Sequence, residues 1–524
     1  MKNKWLSAIF FLVILLVVFV RLRIINMPLE RDEGEYAYMA GLLLKGVPLY
    51  QYAYTMKFPG VYICHAVTMF LFGSNISGIH LGLLVVNVGS ILIFYKLLRN
   101  LFNPVIAAAA GAVFAVLSLS KSVLGFASHA THYVMFMALA GFLILFYAVK
   151  KGKRYLYFLS GLAMGAAFLV KQSGGIFTAY AILAAIFCAY TDGKSKFREK
   201  NIKVVSLLSG VILPVAAVFL WMWKGGVFAK FWFWCFEYLH KYAFQVPLSY
   251  ALPALMDALK GVIGWYFPIW ILAAGGFVIS VFFNKNLKNR KLLLISFFAF
   301  SFLTVMPGFY FREHYFITFL PAVALMAGIF LDYLNSVSKK NFLTAGILII
   351  SLLPGLIGER GYLFSKDPVA LTRERYLPNP FVESVAVADF IRANTGDGDS
   401  IAIVGSEPQI LFYSGRRSAT GYIYTYPLME KHPYSLTMQK EMAGEIERAM
   451  PEICVFVKIE TSWMRLPGSE GFIFDWFKGY AAKNYRLVGV ADIMKERTIY
   501  KWGDEAPAYK PRSPFNLFIY KRNL

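Results

Sequence analysis

Eleven apolar runs, each near the length that crosses a bilayer, dominate the first 357 residues and limit what this chain can fold into. A helix needs about 20 apolar residues to cross the hydrocarbon core, and its backbone must satisfy its own hydrogen bonds there. The hydrophobic share of 58% and the mean hydropathy of +0.55 lie far outside the range of soluble proteins. The sequence therefore predicts a polytopic α-helical membrane protein. The predicted spans cover residues 5–25, 77–97, 104–120, 127–149, 155–171, 174–190, 204–223, 263–283, 292–308, 315–333 and 342–357.

Basic residues are concentrated in the loops between these runs. The first 357 residues hold 31 of the 53 Lys and Arg but only 10 of the 30 Asp and Glu. With eleven spans, six basic loops fall on one side, which the positive-inside rule makes cytoplasmic. The net charge of +23 is therefore explained by the membrane topology and by contacts with lipid phosphates. Because this explanation is sufficient, the charge does not indicate a nucleic-acid partner, and such a partner is excluded. The six loops contain Lys2 and Lys4; Lys96 and Arg99; Lys150 to Arg154; Lys194 to Lys203; Lys285 to Lys291; and Lys339 and Lys340.

The opposite, outer side receives residues 26–76, residues 224–262 and the C-terminal third. Residues 1–20 lack a small-residue cleavage site, so we expect an uncleaved first helix with its N-terminus in the cytoplasm, in the plasma (inner) membrane. Residues 1–357 are predicted to form a transmembrane catalytic domain and residues 358–524 an extracytoplasmic α/β domain. In the latter, helices are predicted at 383–395, 435–450 and 472–482, and strands at 400–405, 453–457, 485–492 and 498–502.

Four acids stand together just after the first span. They are four of the ten acids in the first 357 residues: Glu30, Asp32, Glu33 and Glu35. Crowded carboxylates at a membrane boundary repel one another and resist desolvation, so at least one should have a raised pKa and act as a base or bind a cation. A solvated flank that ends the first helix is the alternative interpretation.

The outer segment 26–76 is predicted to contain two helices that lie in the membrane interface, at 32–44 and 61–72. Asp32, Glu35 and Tyr36 share one face of the first helix, because they lie three and four residues apart. The turn between the helices, at 57–60, presents the single cation Lys57. The acids and this lysine are therefore expected on the same outer surface.

The segment 224–262 carries an aromatic run from Phe231 to Phe236. An aromatic belt at the membrane interface is the simpler interpretation, and a lip that binds lipid is the alternative.

Asp397-Gly398-Asp399 resembles a metal-nucleotide motif, but it lies between a predicted helix and a predicted strand and is interpreted as a turn. The sequence has neither a P-loop nor a glycine-rich dinucleotide motif, so no nucleotide cofactor is expected.

Several motifs together resemble one family of membrane enzymes. They occur in the order and spacing of the GT-C glycosyltransferases, in the branch that contains protein O-mannosyltransferases and the bacterial aminoarabinose transferase acting on lipid A. The similarity spans about residues 1–340, with Met56 in place of a family glutamate and no Asp at the start of the fourth span. The motifs are Asp32 to Tyr38, Gly46 to Tyr50, Lys57 to Gly60, Gly161 to Gly165, Lys171 to Gly174, Arg312 to Phe316, and Phe319 to Pro321.

The resemblance implies a GT-C fold and an inverting hexosyl or pentosyl transfer on the outer face. The donor would be a polyprenyl-phosphate sugar, and the acceptor a lipid, glycan or protein. Asp32 matches the family's catalytic Asp and Lys57 its lysine. We expect Asp32 to act as general base because its acidic neighbours raise its proton affinity, with Glu33 or Glu35 orienting the acceptor or holding a cation.

Cations at the outer boundary are candidates for the leaving phosphate, since topology alone disfavours them there. They are Lys57, Lys171 and Arg312, of which Arg312 suits bidentate contact best; snorkelling at the interface is the alternative for Arg312. Tyr36 and His314 are further candidates for contact with the substrate or its phosphate.

A divalent metal cation is a candidate cofactor. Oxygen and nitrogen ligands are available from Asp32, Glu33 and His314. His129 and His132 lie three residues apart at the start of the fourth span and form a second candidate pair without an evident third ligand.

Two other functions remain open from the sequence. A transporter or flippase of a lipid-linked glycan predicts ionisable residues near mid-bilayer and matching halves. The charges here lie at the ends of spans and no matching halves are evident, which favours the enzyme. A scaffold that holds partners through the outer domain is the third hypothesis, against which the acid cluster argues.

Overall fold

The structure is a computed structural model that describes residues 4–191, 196–283, 291–365 and 367–523. Helices occupy all eleven predicted runs. Lys2, Lys194, Lys285, Lys288 and Arg290 of the basic loops lie outside the described residues. The helices up to residue 358 are α1 Lys4–Arg23, α2 Arg31–Leu44, α3 Pro59–Phe72, α4 Ile76–Leu101, α5 Pro104–Leu117, α6 Ala130–Lys151, α7 Arg154–Val170, α8 Gly174–Thr191, α9 Phe197–Lys224, α10 Phe228–Trp232, α11 Leu239–Ala243, α12 Leu248–Ile263, α13 Phe267–Val278, α14 Lys291–Leu303, α15 Leu320–Ser338 and α16 Asn341–Gly358.

Eight helical segments of the described residues are long and apolar enough to span a bilayer, with α12 and α13 forming one continuous segment. The helices α5, α7 and α14, at 14, 17 and 13 residues, are shorter than the length a span needs. The chain is a multi-pass membrane protein, and the count of eleven spans stays a prediction.

Close packing of α7 on α9 depends on glycine. A Cβ on Gly161 would lie 2.1 Å from the carbonyl oxygen of Leu207, and one on Gly210 would lie 2.1 Å from that of Phe158. Small residues let membrane helices approach at backbone distance. The glycine-rich motif of α7 thereby fixes the position of Lys171, which follows the end of this helix.

The helices α2 and α3 form where the sequence predicts them, but α2 is buried inside the protein. Its first turn is fixed by a capping box, in which Glu30 accepts from the backbone N–H of Glu33 and Glu33 accepts from that of Glu30. A Cβ on Gly34 would lie 2.6 Å from the backbone nitrogen of Gln409, so α2 packs directly on the C-terminal half. That contact places the acid cluster between the two halves of the chain.

A mixed six-stranded sheet forms the core of the C-terminal half, in the order β2-β1-β3-β6-β4-β5. The strands β1 to β3 run parallel, while β6 and its neighbours pair antiparallel. All seven predicted elements form, and Asp397 to Asp399 is a turn, as predicted. The elements are α17 Arg360–Phe364, α18 Pro368–Tyr376, α19 Glu383–Asn394, β1 Ser400–Val404, α20 Pro408–Ser414, β2 Arg417–Ser418, α21 Tyr426–Met429, α22 Ser435–Ala449, β3 Ile453–Lys458, α23 Glu460–Trp463, α24 Phe472–Asn484, β4 Tyr485–Ile493, β5 Thr498–Trp502, α25 Glu505–Ala508 and β6 Asn516–Arg522.

The aromatic run is only partly buried, since Trp232 is 42% exposed. Phe231, Trp234 and Tyr238 are buried. The Trp234 ring stacks on Tyr54 of the first outer segment at 5.7 Å and meets Tyr422 of the C-terminal half at 5.9 Å. Trp234 therefore joins residues 26–76 to the α/β domain, while an interfacial belt and a lipid-binding lip stay predictions for the rest of the run.

Candidate active site

Asp32 lies in the first turn of α2 with its two carboxylate oxygens in different surroundings. Oδ1 accepts hydrogen bonds from Lys57 Nζ and from the hydroxyl of Tyr424, both at 2.8 Å. Oδ2 lies 3.8 Å from Nδ1 of His129. The Asp32 side chain is 24% exposed, so one oxygen is anchored while the group stays accessible.

The charge state of Asp32 differs from the expectation. Burial alone would raise its pKa, but the positive charge of Lys57, with smaller effects from His314 and His129, holds the pKa of Asp32 well below its usual range. The prediction that acidic neighbours raise the proton affinity of Asp32 is therefore wrong. The raised pKa belongs to Glu30, through burial and the charges of Asp32 and Glu33.

Lys57 is held by two carboxylates. Its ammonium donates to Asp32 and to Glu35, and it lies 4.6 Å from the ring centre of Tyr36 and 5.2 Å from that of Tyr424. Burial opposes its charge, yet Asp32 and Glu35 raise the pKa of Lys57 well above its usual value. The charge of Lys57 is therefore already neutralised by two carboxylates.

Glu33, Glu35 and Tyr36, the neighbours of Asp32 in α2, are buried. Glu35 is fully buried and accepts from Thr55 Oγ1 at 2.7 Å and from the hydroxyl of Tyr62 at 2.6 Å. Tyr36 is 3% exposed and packs on Lys57. These groups are therefore paired inside the protein, and their contact with substrate stays a prediction.

Glu33 organises the wall behind the site. It is 2% exposed and accepts from the backbone N–H of Ser128 at 2.5 Å, while His80 Nε2 lies 3.2 Å away. The bond to Ser128 fixes the start of α6, where His129 is the capping residue. Through Ser128, Glu33 consequently positions His129. Among the described residues, the three that lie close enough together to hold a metal ion do not include Glu33.

Two cations near Asp32 have no carboxylate partner among the described residues. The ammonium of Lys171 lies 3.7 Å from the ring centre of Tyr315, and the guanidinium of Arg312 lies 5.7 Å from that of Tyr310. Burial, with the positive charges of Lys57 and Arg312, lowers the pKa of Lys171 to about 7 in spite of Asp32. An anion placed here would meet two unpaired donors.

Asp32, His129 and His314 form a group of three potential metal ligands. The rings of His129 and His314 stack at 4.1 Å, and ligand atoms of Asp32, His129 and His314 all lie within 4.8 Å of one another. Among the described residues, neither ring nitrogen of the buried His129 has a hydrogen-bond partner, and burial lowers the pKa of His129 to about 4. His129 is therefore neutral with a free lone pair. His132 lies outside this group.

The C-terminal half supplies residues to the site that the sequence analysis did not predict. Tyr424 reaches Asp32 from 392 positions away along the chain. Arg31, next to Asp32, pairs with the buried Glu407 at 2.6 Å and donates to the carbonyl of Ser406 at 2.5 Å and to the hydroxyl of Tyr426 at 2.8 Å. The spacing of residues along the sequence does not predict such contacts, because they form only when the chain folds.

Comparisons with known proteins give one family model and several solved structures with a similar fold. The family model described as dolichyl-phosphate-mannose-protein mannosyltransferase matches residues 56–223. No curated protein sequence matches the chain.

Solved structures match over nearly the whole chain. ArnT from Cupriavidus metallidurans, bound to undecaprenyl phosphate, is 13% identical, with 98% of this chain and 97% of that chain covered and a TM-score of 0.59. AglB from Archaeoglobus fulgidus, in complex with an inhibitory peptide and a dolichol-phosphate, is 14% identical, with 99% and 76% covered and a TM-score of 0.56. The Archaeoglobus fulgidus oligosaccharyltransferase in complex with Zn and sulfate is 16% identical, with 94% and 73% covered and a TM-score of 0.54. This chain has the fold of the GT-C membrane glycosyltransferases, and its residues 56–223 are similar to the dolichyl-phosphate-mannose-protein mannosyltransferases.

Proposed function

We propose that the protein transfers a sugar from a polyprenyl-phosphate donor to a lipid, glycan or protein acceptor on the outer face of the membrane, with inversion. The observation that carries the proposal is the pairing of one ionised, accessible carboxylate, Asp32, with the two unpaired cations Lys171 and Arg312. The undecaprenyl phosphate and dolichol-phosphate in two structures of the same fold support a lipid-phosphate donor. In this proposal residues 1–357 hold the chemistry and residues 358–524 lie outside the cytoplasm.

Asp32 acts as the general base in this reaction. As the acceptor oxygen attacks C1 of the sugar, its proton passes to Asp32, while the bond from C1 to the phosphate oxygen breaks and its electron pair stays on the phosphate. A carboxylate with a lowered pKa is a weak base, so the proton moves late, when positive charge on the sugar has made the acceptor hydroxyl more acidic. The low pKa keeps Asp32 ionised before that moment.

Lys171 and Arg312 receive the leaving phosphate. A lipid phosphate leaves without being protonated, so fixed cations that meet the growing negative charge are sufficient. Arg312 has the fork geometry that binds phosphate through two hydrogen bonds, and Lys171 adds a point charge. Lys57, by contrast, remains with Asp32 and Glu35.

The pKa of Lys171 makes donor binding depend on pH. In the free protein Lys171 loses its charge above about pH 7, and a bound phosphate would raise that pKa again, so binding takes up a proton and weakens as pH rises. We expect the donor KM to rise by up to about tenfold per pH unit above pH 7. Lys171→Arg, which stays charged, should flatten the rise. The control is Lys121→Arg, at an exposed lysine paired with Glu374, and equal slopes in all three proteins would contradict the assignment.

A divalent cation fits the group Asp32, His129 and His314. Two neutral imidazoles and a carboxylate are ligands that Zn²⁺ takes, and the unpartnered nitrogens of buried His129 are otherwise costly. The structure of the same fold in complex with Zn and sulfate is consistent with this choice. A cation bound here would polarise the acceptor hydroxyl and ease transfer of its proton to Asp32.

Metal content of the purified protein tests this part of the proposal. We expect about one divalent cation per chain in wild type and a loss of most of it in His129→Gln, since one of three ligands is removed. His132→Gln is the matched control, because His132 lies on the same helix, is also buried and is outside the ligand group. Equal metal content in His129→Gln and wild type would rule out this site.

Sugar transfer by wild-type membranes tests the function itself. Membranes would receive a panel of radiolabelled polyprenyl-phosphate sugars, and the label would be followed into lipid, glycan and protein fractions. Incorporation that depends on expression of this chain supports a transferase and identifies the sugar and the acceptor class. Label that crosses the membrane while still attached to the polyprenyl phosphate would favour the flippase instead.

A further inference from the structure

The α/β domain reaches into the active site through one loop. Residues 419–425, between β2 and α21, carry Tyr424, whose hydroxyl donates to Oδ1 of Asp32 at 2.8 Å and whose ring lies 5.2 Å from the ammonium of Lys57. Tyr424 is half-buried. A domain that only covered the membrane half would not need a side chain bonded to the proposed base.

The loop is held firmly at both ends. The backbone N–H of Tyr54 donates to the carbonyl of Gly421 at 2.6 Å, and Glu445 accepts from the N–H of Gly421 at 2.9 Å. The N–H of Thr425 donates to Ser406 Oγ at 2.9 Å. A Cβ on Gly421 would lie 2.2 Å from the ring of Tyr54, so this contact needs glycine. The position of Tyr424 is therefore fixed by the surrounding fold.

The hydrogen bond from Tyr424 distinguishes the two oxygens of Asp32. The last torsion of an aspartate is soft and nearly two-fold, so an unrestrained carboxylate presents either oxygen. Here Oδ1 has two donors, Lys57 and Tyr424, whereas Oδ2 faces His129 at 3.8 Å. The ammonium of Lys57 is shared between Asp32 and Glu35, so Tyr424 adds a second, independent restraint on Oδ1.

We propose that Tyr424 is a positioning residue that anchors Oδ1 of Asp32 and so directs Oδ2 toward the reacting groups, which makes the α/β domain part of the active site. This inference rests on the proposed function and adds to it the role of the outer domain. Misplacement of a reacting group by about 1 Å costs on the order of 100-fold in rate. The effect should therefore appear in kcat and leave donor binding unchanged.

Tyr424→Phe, which removes only the hydroxyl, tests the proposal. We expect kcat to fall about 10- to 100-fold, with the donor KM and the Tm close to wild type. Tyr413→Phe is the matched control, because the Tyr413 hydroxyl accepts from the N–H of Leu29 and joins the same domain to the same outer segment without touching Asp32. An equal fall in kcat for both variants would mean that each merely weakens docking and would overturn the positioning role.

An infrared measurement gives a second readout that needs no activity. The carboxylate stretch of Asp32 is identified as the band that disappears in Asp32→Asn. Loss of one hydrogen bond should shift this band in Tyr424→Phe and leave it in place in Tyr413→Phe. An unshifted band in Tyr424→Phe would overturn the inference. A shifted band in a protein that transfers no sugar would retain the anchoring of Asp32 and reject the proposed function.

Discussion

Asp32→Asn is expected to lower the kcat for sugar transfer by about 10²- to 10⁴-fold, the usual contribution of a general base. The amide keeps the size of the side chain and can still accept from Tyr424, but it takes no proton. Lys57 retains Glu35 as a partner, so no buried charge is left alone and the fold should persist. Donor KM and thermal unfolding, measured beside kcat, separate loss of chemistry from loss of structure.

Glu313→Gln is the control for this substitution. Glu313 precedes His314 in the chain, but its side chain is 47% exposed and pairs with Arg375 at 2.6 Å. Its removal should leave kcat within about twofold, because exposed ion pairs contribute little. Transfer at the wild-type rate by Asp32→Asn would remove Asp32 from the role of base.

Arg31→Met is expected to destabilise the protein by about 3–5 kcal/mol, because it leaves the fully buried Glu407 without its cation. The carbonyl of Ser406 and the hydroxyl of Tyr426 lose their donor as well. The contact joins the residue before Asp32 to the α/β domain, so sugar transfer should fall together with stability. Thermal unfolding in detergent, followed with the transfer rate, measures both effects.

Two further variants make this result specific. Arg31→Met combined with Glu407→Leu should recover part of the stability, since removing both partners of a buried pair costs less than removing one. Lys501→Met, at the exposed pair with Glu505, should leave the free energy of unfolding close to that of wild type. A Tm for Arg31→Met equal to that of Lys501→Met would show that the buried pair does not join the domains.

The sequence predicted the parts of the site that depend on local spacing. Asp32, Glu35 and Tyr36 do share a helix face, and all three contact Lys57. Lys171 follows the end of an apolar helix, as the sequence predicted, and its place at the outer boundary stays a prediction. These features follow from helical periodicity and from the length of the apolar runs.

The remaining features depend on contacts between distant segments. The stacking of His129 on His314 and the bond from Tyr424 to Asp32 arise only when separate elements pack together. The charge on Asp32 was misjudged for the same reason, since its sequence neighbours are acids while its spatial neighbour is Lys57. Strand β6 was missed, although it pairs with both β3 and β4 in the centre of the sheet.

The most direct test of the central claim is a mass balance with purified protein in proteoliposomes. The donor would carry one label in the sugar and another in the polyprenyl phosphate, and the acceptor would be the fraction identified in the membrane assay. We expect that one polyprenyl phosphate is released for each sugar transferred, with the anomeric configuration inverted, and that both products disappear in Asp32→Asn. Intact donor moving between leaflets, with no bond broken, would contradict it.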